Sequence, residues 1–228
     1  MSKHSKDPID SVLEPKKTAA NLEQWIKSNG KTVGIALAVV ILIPLGYIGY
    51  KKFIQEPKEA EAAAAMFYAE QYFAQEQFEL ALNGDGNFSG FLTITDEFGG
   101  TDAGNLAHYY AGICNLRLGK YAEAIAQLED FSSDDVLVSS VAYGALGDAY
   151  RESGDSESAV KNYEKAANKN PNNFSSPIYL KKAGIAYESK GEYGKAVEMY
   201  TQIKDKYFKS NEAQDIEKYI ERANALIK

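Results

Sequence analysis

Residues 141–171 read VAYGALGDAYRESGDSESAVKNYEKAANKNP, and their spacing decides the fold. Leu146, Gly147 and Tyr150 precede Gly154, and Ala159, Tyr163, Ala166 and Pro171 follow it. A glycine at 154 marks a turn that needs left-handed backbone, open at little cost only to glycine. The segments on either side are then two helices of one hairpin. Gly147 and Ala159 are small because the helices cross there and must approach closely. Tyr150 and Tyr163 are expected to fill the space between neighbouring hairpins, and Pro171 ends the second helix because it cannot continue the hydrogen-bond ladder.

The same skeleton occurs twice more. Upstream it is Gly112, Gly119, Tyr121, Ala124 and Leu128; downstream it is Ala183, Gly184, Tyr187, Gly191, Tyr193, Ala196 and Tyr200. In every copy the second glycine stands seven residues after the first and the alanine five after that, with copies 35 and 37 residues apart. This resembles the tetratricopeptide repeat, whose period is ~34 residues. Three repeats are placed at 105–138, 140–173 and 177–210.

A degenerate copy at 57–104 precedes them, with Ala69, Tyr72, Phe78 and Ala81 on the skeleton before Asn83-Gly84-Asp85-Gly86 interrupts the helix. Phe88, Phe91, Leu92, Thr95 and Phe98 resume a helical stripe. Residues 85–96, DGNFSGFLTITD, set Asp85, Asn87, Ser89, Gly90 and Asp96 at the spacing of a calcium loop. The final aspartate lacks the reach of the usual glutamate, so the favoured alternative is a turn and a helix capped by Asn87 or Ser89. At the far end, 211–228 carries Ala213, Ile216, Ile220, Ala223 and Ile227 on one face, the half-wet cap that a repeat array needs. The predicted fold is an all-α solenoid of about four hairpins plus a capping helix, preceded by a transmembrane helix.

That last element is TVGIALAVVILIPLGYIGY, residues 32–50, nineteen residues without a charge. As a helix it covers roughly 28 Å, the thickness of a hydrocarbon core. Lys31, Lys51 and Lys52 flank it, and Tyr47 and Tyr50 suit the interface. No small-residue cleavage site or lipid-accepting cysteine follows, so residues 32–52 are read as a retained anchor. Residues 1–31 hold six lysines against three on the other flank, which predicts a cytoplasmic N-terminus and an exported body. Residues 1–18 are polar and expected to be unstructured; 21–28 form a short amphipathic helix with Leu22, Trp25 and Ile26 on one face. Charge divides along the same line: net +4 over residues 1–52 and net −11 over 53–228.

Composition removes other classes. At 45% hydrophobic and 25% charged, the chain is neither disordered throughout nor a multi-span protein. A net charge of −7 argues against nucleic acid. One cysteine closes no intramolecular disulfide, and His4 and His108 are too far apart for a histidine-based metal site. Neither a nucleophile elbow nor a phosphate loop occurs. Cys114 is expected to be a buried structural thiol and His108 a packed side chain. No catalytic residue, cofactor or metal is assigned.

In tetratricopeptide arrays the first helices of successive hairpins line a concave surface. Carried over position by position, the resemblance implies a partner groove of Leu106, Tyr109, Tyr110, Ile113, Leu116 and Arg117 in the first repeat. From the second it takes Val141, Gly144, Ala145, Asp148, Arg151 and Glu152, and from the third Ile178, Lys181, Lys182, Ile185, Glu188 and Ser189. Burial by repeat stacking is the competing expectation for the first set. The co-chaperone carboxylate clamp needs asparagine where this chain has Ile113, Asp148 and Ile185, so that specialised role is not supported.

The whole arrangement is similar to the ancillary subunit of the bacterial SecYEG translocon and its relatives. The likeness covers residues 20–228: the amphipathic stretch, Ser28-Asn29-Gly30-Lys31 before the span, the alanine-rich helix from Glu59, and the repeats. A longer polar N-terminus and the insert near residue 85 depart from that pattern. The resemblance implies a single-pass protein of the bacterial inner membrane with a periplasmic repeat domain. Its implied partners are exported proteins, the SecYEG translocon and periplasmic chaperones. The alternative is a structural scaffold holding a fixed folded partner in envelope assembly or cell division.

Overall fold

The structure is a computed structural model, and it describes residues 15–227. The chain divides into two units, residues 1–57 and 58–228.

In the first unit, helix α1 (Pro15–Ser28) starts on a proline, which suits the first helical position because its missing N–H would have had no partner there. The helix is therefore longer than the expected 21–28. Residues 15–18 are helical rather than unstructured, Lys16, Lys17 and Ala19 being ready helix formers; the rest of the expected polar tail, residues 1–14, lies outside the described residues. Leu22, Trp25 and Ile26 share one exposed face. The side chain of Asn29 donates to the Trp25 carbonyl at 3.0 Å between α1 and α2 (Gly30–Tyr50). Helix α2 contains Pro44 and exposes Ile35, Leu37, Val40, Leu42 and Ile43. Among the described residues it supplies the one window long and apolar enough to cross a membrane. A π-helical turn, Lys51–Gln55, follows.

The second unit is built from helices α3 (Glu56–Ala74), α4 (Phe78–Asn83), α5 (Phe91–Phe98), α6 (Asp102–Arg117), α7 (Tyr121–Asp130), α8 (Val136–Glu152), α9 (Ser156–Lys169), α10 (Ser175–Ser189), α11 (Tyr193–Lys206) and α12 (Ile216–Leu226). Pairs α6/α7, α8/α9 and α10/α11 are the three hairpins. Each turns through a glycine with positive φ: Gly119 at +74°, Gly154 at +90° and Gly191 at +74°. The following N–H reaches back five residues, Lys120 to Asn115, Asp155 to Tyr150 and Glu192 to Tyr187, at 2.9 Å each. This satisfies carbonyls that the end of a helix would leave free.

Within each hairpin the first-helix glycine makes room for a second-helix side chain. A Cβ on Gly147 would lie 2.6 Å from the Tyr163 ring, on Gly184 2.2 Å from the Tyr200 ring, and on Gly112 2.5 Å from Leu128. Tyr163 and Tyr200 are fully buried in these notches. Tyr163 therefore packs inside its own hairpin, not between hairpins as expected. Tyr150 does reach its neighbour: its hydroxyl donates to Glu129 of the preceding hairpin. Tyr187 does the same to Glu164 at 2.8 Å.

The degenerate copy is α3 with a broken second helix, α4 and α5. Between them Asp85 accepts N–H groups from Asn87 and Phe88 at 2.9 and 2.8 Å and the Tyr72 hydroxyl at 2.8 Å. Its carboxylate is thus used to close the turn, and these bonds hold it below the ordinary aspartate range. The α5 N-cap is Gly90 with no side-chain bond, so neither Asn87 nor Ser89 caps it. Gly90 is needed because Gly84 and Leu82 backbone atoms lie 2.3–2.4 Å from where its Cβ would be. The C-terminal cap begins with a 3₁₀ turn at Glu212–Gln214. Ile216 and Ala223 are buried, whereas Ile227 lies past the helix end and is exposed.

One long-range contact escaped the sequence reading. Glu59 accepts the backbone N–H groups of Asp102 and Ala103 at 2.7 and 2.8 Å, tying α3 to the start of α6. A carboxylate at a helix N-terminus satisfies orphan donors and complements the helix dipole. Glu59→Ala should lower unfolding free energy by about 1–2 kcal/mol in urea titration, and exposed Glu61→Ala by less than about 0.5; equal midpoints for the two would contradict the tie. Gly147→Ala should cost about 1–3 kcal/mol by overpacking against Tyr163. Gly194→Ala, with nothing within 4 Å of the new methyl, should be neutral or stabilising by up to about 1 kcal/mol.

Candidate partner groove

The first helices α6, α8 and α10 line an open groove of about 540 Å³. Ile113, Leu116 and Arg117 come from α6; Val141, Gly144, Ala145, Asp148, Arg151 and Glu152 from α8; Tyr179 and Lys182 from α10; Tyr121 joins them from the start of α7. They meet because each α-helical pair turns through the same glycine geometry, which returns every first helix to the same side. Gly144 admits the neighbouring hairpin: a Cβ there would lie 2.1 Å from the Tyr179 ring.

Asp148 is the polar centre. It accepts the Tyr163 hydroxyl at 2.7 Å and the Lys182 ammonium at 2.7 and 2.8 Å. Burial, then the Asp148 charge, pushes the Tyr163 phenol well above its usual range. Burial likewise raises Tyr179 to about 12. Both phenols are therefore neutral at physiological pH; Tyr179 walls the groove, whereas Tyr163 is fully buried. Arg151 pairs with Glu152 at 2.6 Å.

Of the eighteen residues expected to form the groove, ten line it together: Ile113, Leu116, Arg117, Val141, Gly144, Ala145, Asp148, Arg151, Glu152 and Lys182. Lys182 also faces a second hollow of about 410 Å³ with Lys181, Ile178 and Ile185, bounded by the turn before α12. There Lys181 donates to Asp215 at 2.7 Å and lies 4.3 Å from the Tyr219 ring centre. The remaining five are used within the array: Glu188 accepts the Tyr200 hydroxyl at 3.0 Å, Ser189 donates to the Ala186 carbonyl at 2.7 Å, and the other three pack. Tyr110 stacks on Phe91 with ring centres 5.0 Å apart. Tyr109 packs toward Leu128, Ala145 and Leu146 and lies 5.5 Å from the Phe131 ring. Leu106 packs on the α3–α6 core and faces a separate hollow near Gly99 and Val138. Tyr179 was missed as a groove wall. Gly144 was its signal, a mid-helix glycine with no turn to explain it.

Burial raises the Cys114 thiol to about 12, so it is protonated and inert as a nucleophile. His108 is held through Nδ1 to Gln127 at 2.8 Å. Among the described residues no cluster of three or more His, Cys, Asp or Glu is placed to hold a metal ion. The groove offers apolar contact, charge and hydrogen bonding.

The tetratricopeptide-repeat family pattern matches residues 106–134 and 140–173. The helical body is thus an α-solenoid that contains tetratricopeptide repeats at those residues, and such repeats indicate a protein–protein interaction module. The crystal structure of MamA protein is similar to it, with a TM-score of 0.54 and 19% identity over 72% of this chain and 91% of that chain. No curated protein sequence matches the chain.

The tyrosine–glutamate bonds make stability depend on alkali. The hydrogen bond to Glu129 raises Tyr150 to about 12, and burial with the bond to Glu164 raises Tyr187 further. Folding favours the protonated phenols, so their contribution is whole below the ordinary tyrosine value of 10.0 and is lost as pH climbs toward about 12. Denaturation midpoints should be flat from neutral pH to about 9 and fall above 10. Tyr150→Phe with Tyr187→Phe should be less stable at pH 8 by about 1–2 kcal/mol in total and fall less steeply in alkali. An unchanged alkaline slope would show that these two phenols do not couple to folding.

Proposed function

We propose that the protein is a membrane-anchored binder of other proteins, working beside the bacterial translocon as a chaperone-like factor for exported envelope proteins. The carrying observation is that first helices of three successive hairpins line one open groove, part apolar and part charged. Proteins are the partners that such a surface fits. Helix α2 supports attachment by a single span, and the lysine bias of residues 1–31 supports a cytoplasmic N-terminus with the repeats in the periplasm. The translocon assignment draws on the resemblance over residues 20–228.

A photoreactive amino acid replacing Val141, which is 41% exposed beside the groove, tests this in cells. Adducts should include several exported proteins in transit and translocon subunits, whereas the same group at exposed Lys161 on α9 should give none of them. One stoichiometric adduct with a single folded protein at Val141 would favour the scaffold instead, and identical adducts at both positions would refute the groove. In the same strain, Ser132→Cys should react with a membrane-impermeant thiol reagent while the inner membrane is intact, buried Cys114 staying silent. Reaction only after that membrane is broken would reverse the topology.

A further inference from the structure

We infer that the groove takes an extended internal peptide segment that carries an acidic and an aliphatic side chain, the carboxylate meeting Arg117. This rests on the groove reading above and names the chemistry of the partner. Residues 53–228 hold 17 basic and 28 acidic residues, so the surface in general repels an acidic chain. The groove reverses the sign, with Arg117, Arg151 and Lys182 against Asp148 and Glu152. Two of its cations are already engaged: Lys182 with Asp148 at 2.7 Å and Arg151 with Glu152 at 2.6 Å. Arg117 is exposed and has no ion pair or hydrogen bond among the described residues. Its planar fork of donors matches a carboxylate bidentately.

The surroundings of that guanidinium set the second requirement. Leu116 precedes it on α6, and Val141 faces the groove from α8 with 41% of its surface exposed. An acid alone would leave Val141 wet; an aliphatic residue alone would leave Arg117 unpaired. Lys182 borders both this groove and the Ile178–Asp215 hollow, so no wall stops the ligand there. An open channel suits a passing segment; a terminal carboxylate needs a closed end with several converging donors.

The test is fluorescence anisotropy of the full-length protein in detergent with a labelled capped peptide, acetyl-Ser-Thr-Glu-Thr-Leu-Thr-Ser-amide, and its Gln counterpart. The Glu peptide should bind at least about tenfold tighter than the Gln peptide. Arg117→Gln should abolish that difference while leaving the Gln peptide unchanged, and salt should weaken the Glu peptide more. Val141→Ser should weaken both peptides alike. Both positions are exposed, so melting should be unaltered and serves as the control for folding. If Val141→Ser weakens both peptides and Arg117→Gln neither, the groove reading stands and the carboxylate inference falls. If neither substitution changes either peptide, or neither peptide binds at about millimolar concentration, the groove reading falls with it. Tighter binding of the same peptide with a free C-terminal carboxylate would overturn the internal-segment inference.

Discussion

A side chain from one helix seated in a glycine notch of its partner sets the geometry of every full hairpin. With no Cβ at Gly112, Gly147 or Gly184, the space is taken by Leu128, Tyr163 or Tyr200. A methyl group at any of the three would collide within 2.2–2.6 Å, so the helix crossing can hold only while the position stays empty. A packed interior has no slack to absorb such a displacement. Fixing the crossing fixes which way the next hairpin leaves, and hence where the first helices line up.

Neighbouring hairpins are joined by a second periodic device. Tyr150 and Tyr187 each stand three residues after the notch glycine of their own hairpin, and their acceptors Glu129 and Glu164 stand seventeen after that of the hairpin before. The two junctions are otherwise unequal. Between α9 and the cap a continuous core includes Tyr163, Leu180, Tyr200, Ile203 and Ile216. The junction of α7 with α8 has only Leu128, Ala145 and Leu146 in its own buried cluster. In an array stabilised through nearest neighbours, the smaller core marks where the repeats separate most readily. The groove crosses that junction, since Leu116 and Val141 stand on its two sides. A ligand spanning it would therefore also hold the two hairpins together.

Charge is divided with the same economy. An acidic body of net −11 keeps a repeat surface soluble, and several of its carboxylates hold structure: Glu59 caps α6, Asp85 closes the insert turn, and Asp135 and Asp155 cap α8 and α9. Of the three groove cations, Arg117 alone has no ion pair or hydrogen bond among the described residues.

The periodic features were legible in the sequence, because a repeat writes the same local requirement three times. Turn glycines, notch glycines, buried alanines and the apolar run of α2 each follow from backbone conformation, side-chain volume or hydropathy, which depend on neighbours a few residues away. Ten of the eighteen expected groove residues line the groove together for the same reason, since helical phase alone sets their direction. Phase could not tell that Tyr109 and Tyr110 would be drawn into packing. That depended on Phe131 at the end of α7 and on Phe91 in a broken helix whose course no periodicity describes. Nor could it find the Glu59 cap across 43 residues, the seat of Tyr179 on Gly144, or which cation would be left unpaired. Those were decided only by the tertiary structure, because partners distant in the chain compete for the same space and the same charge once the helices have packed.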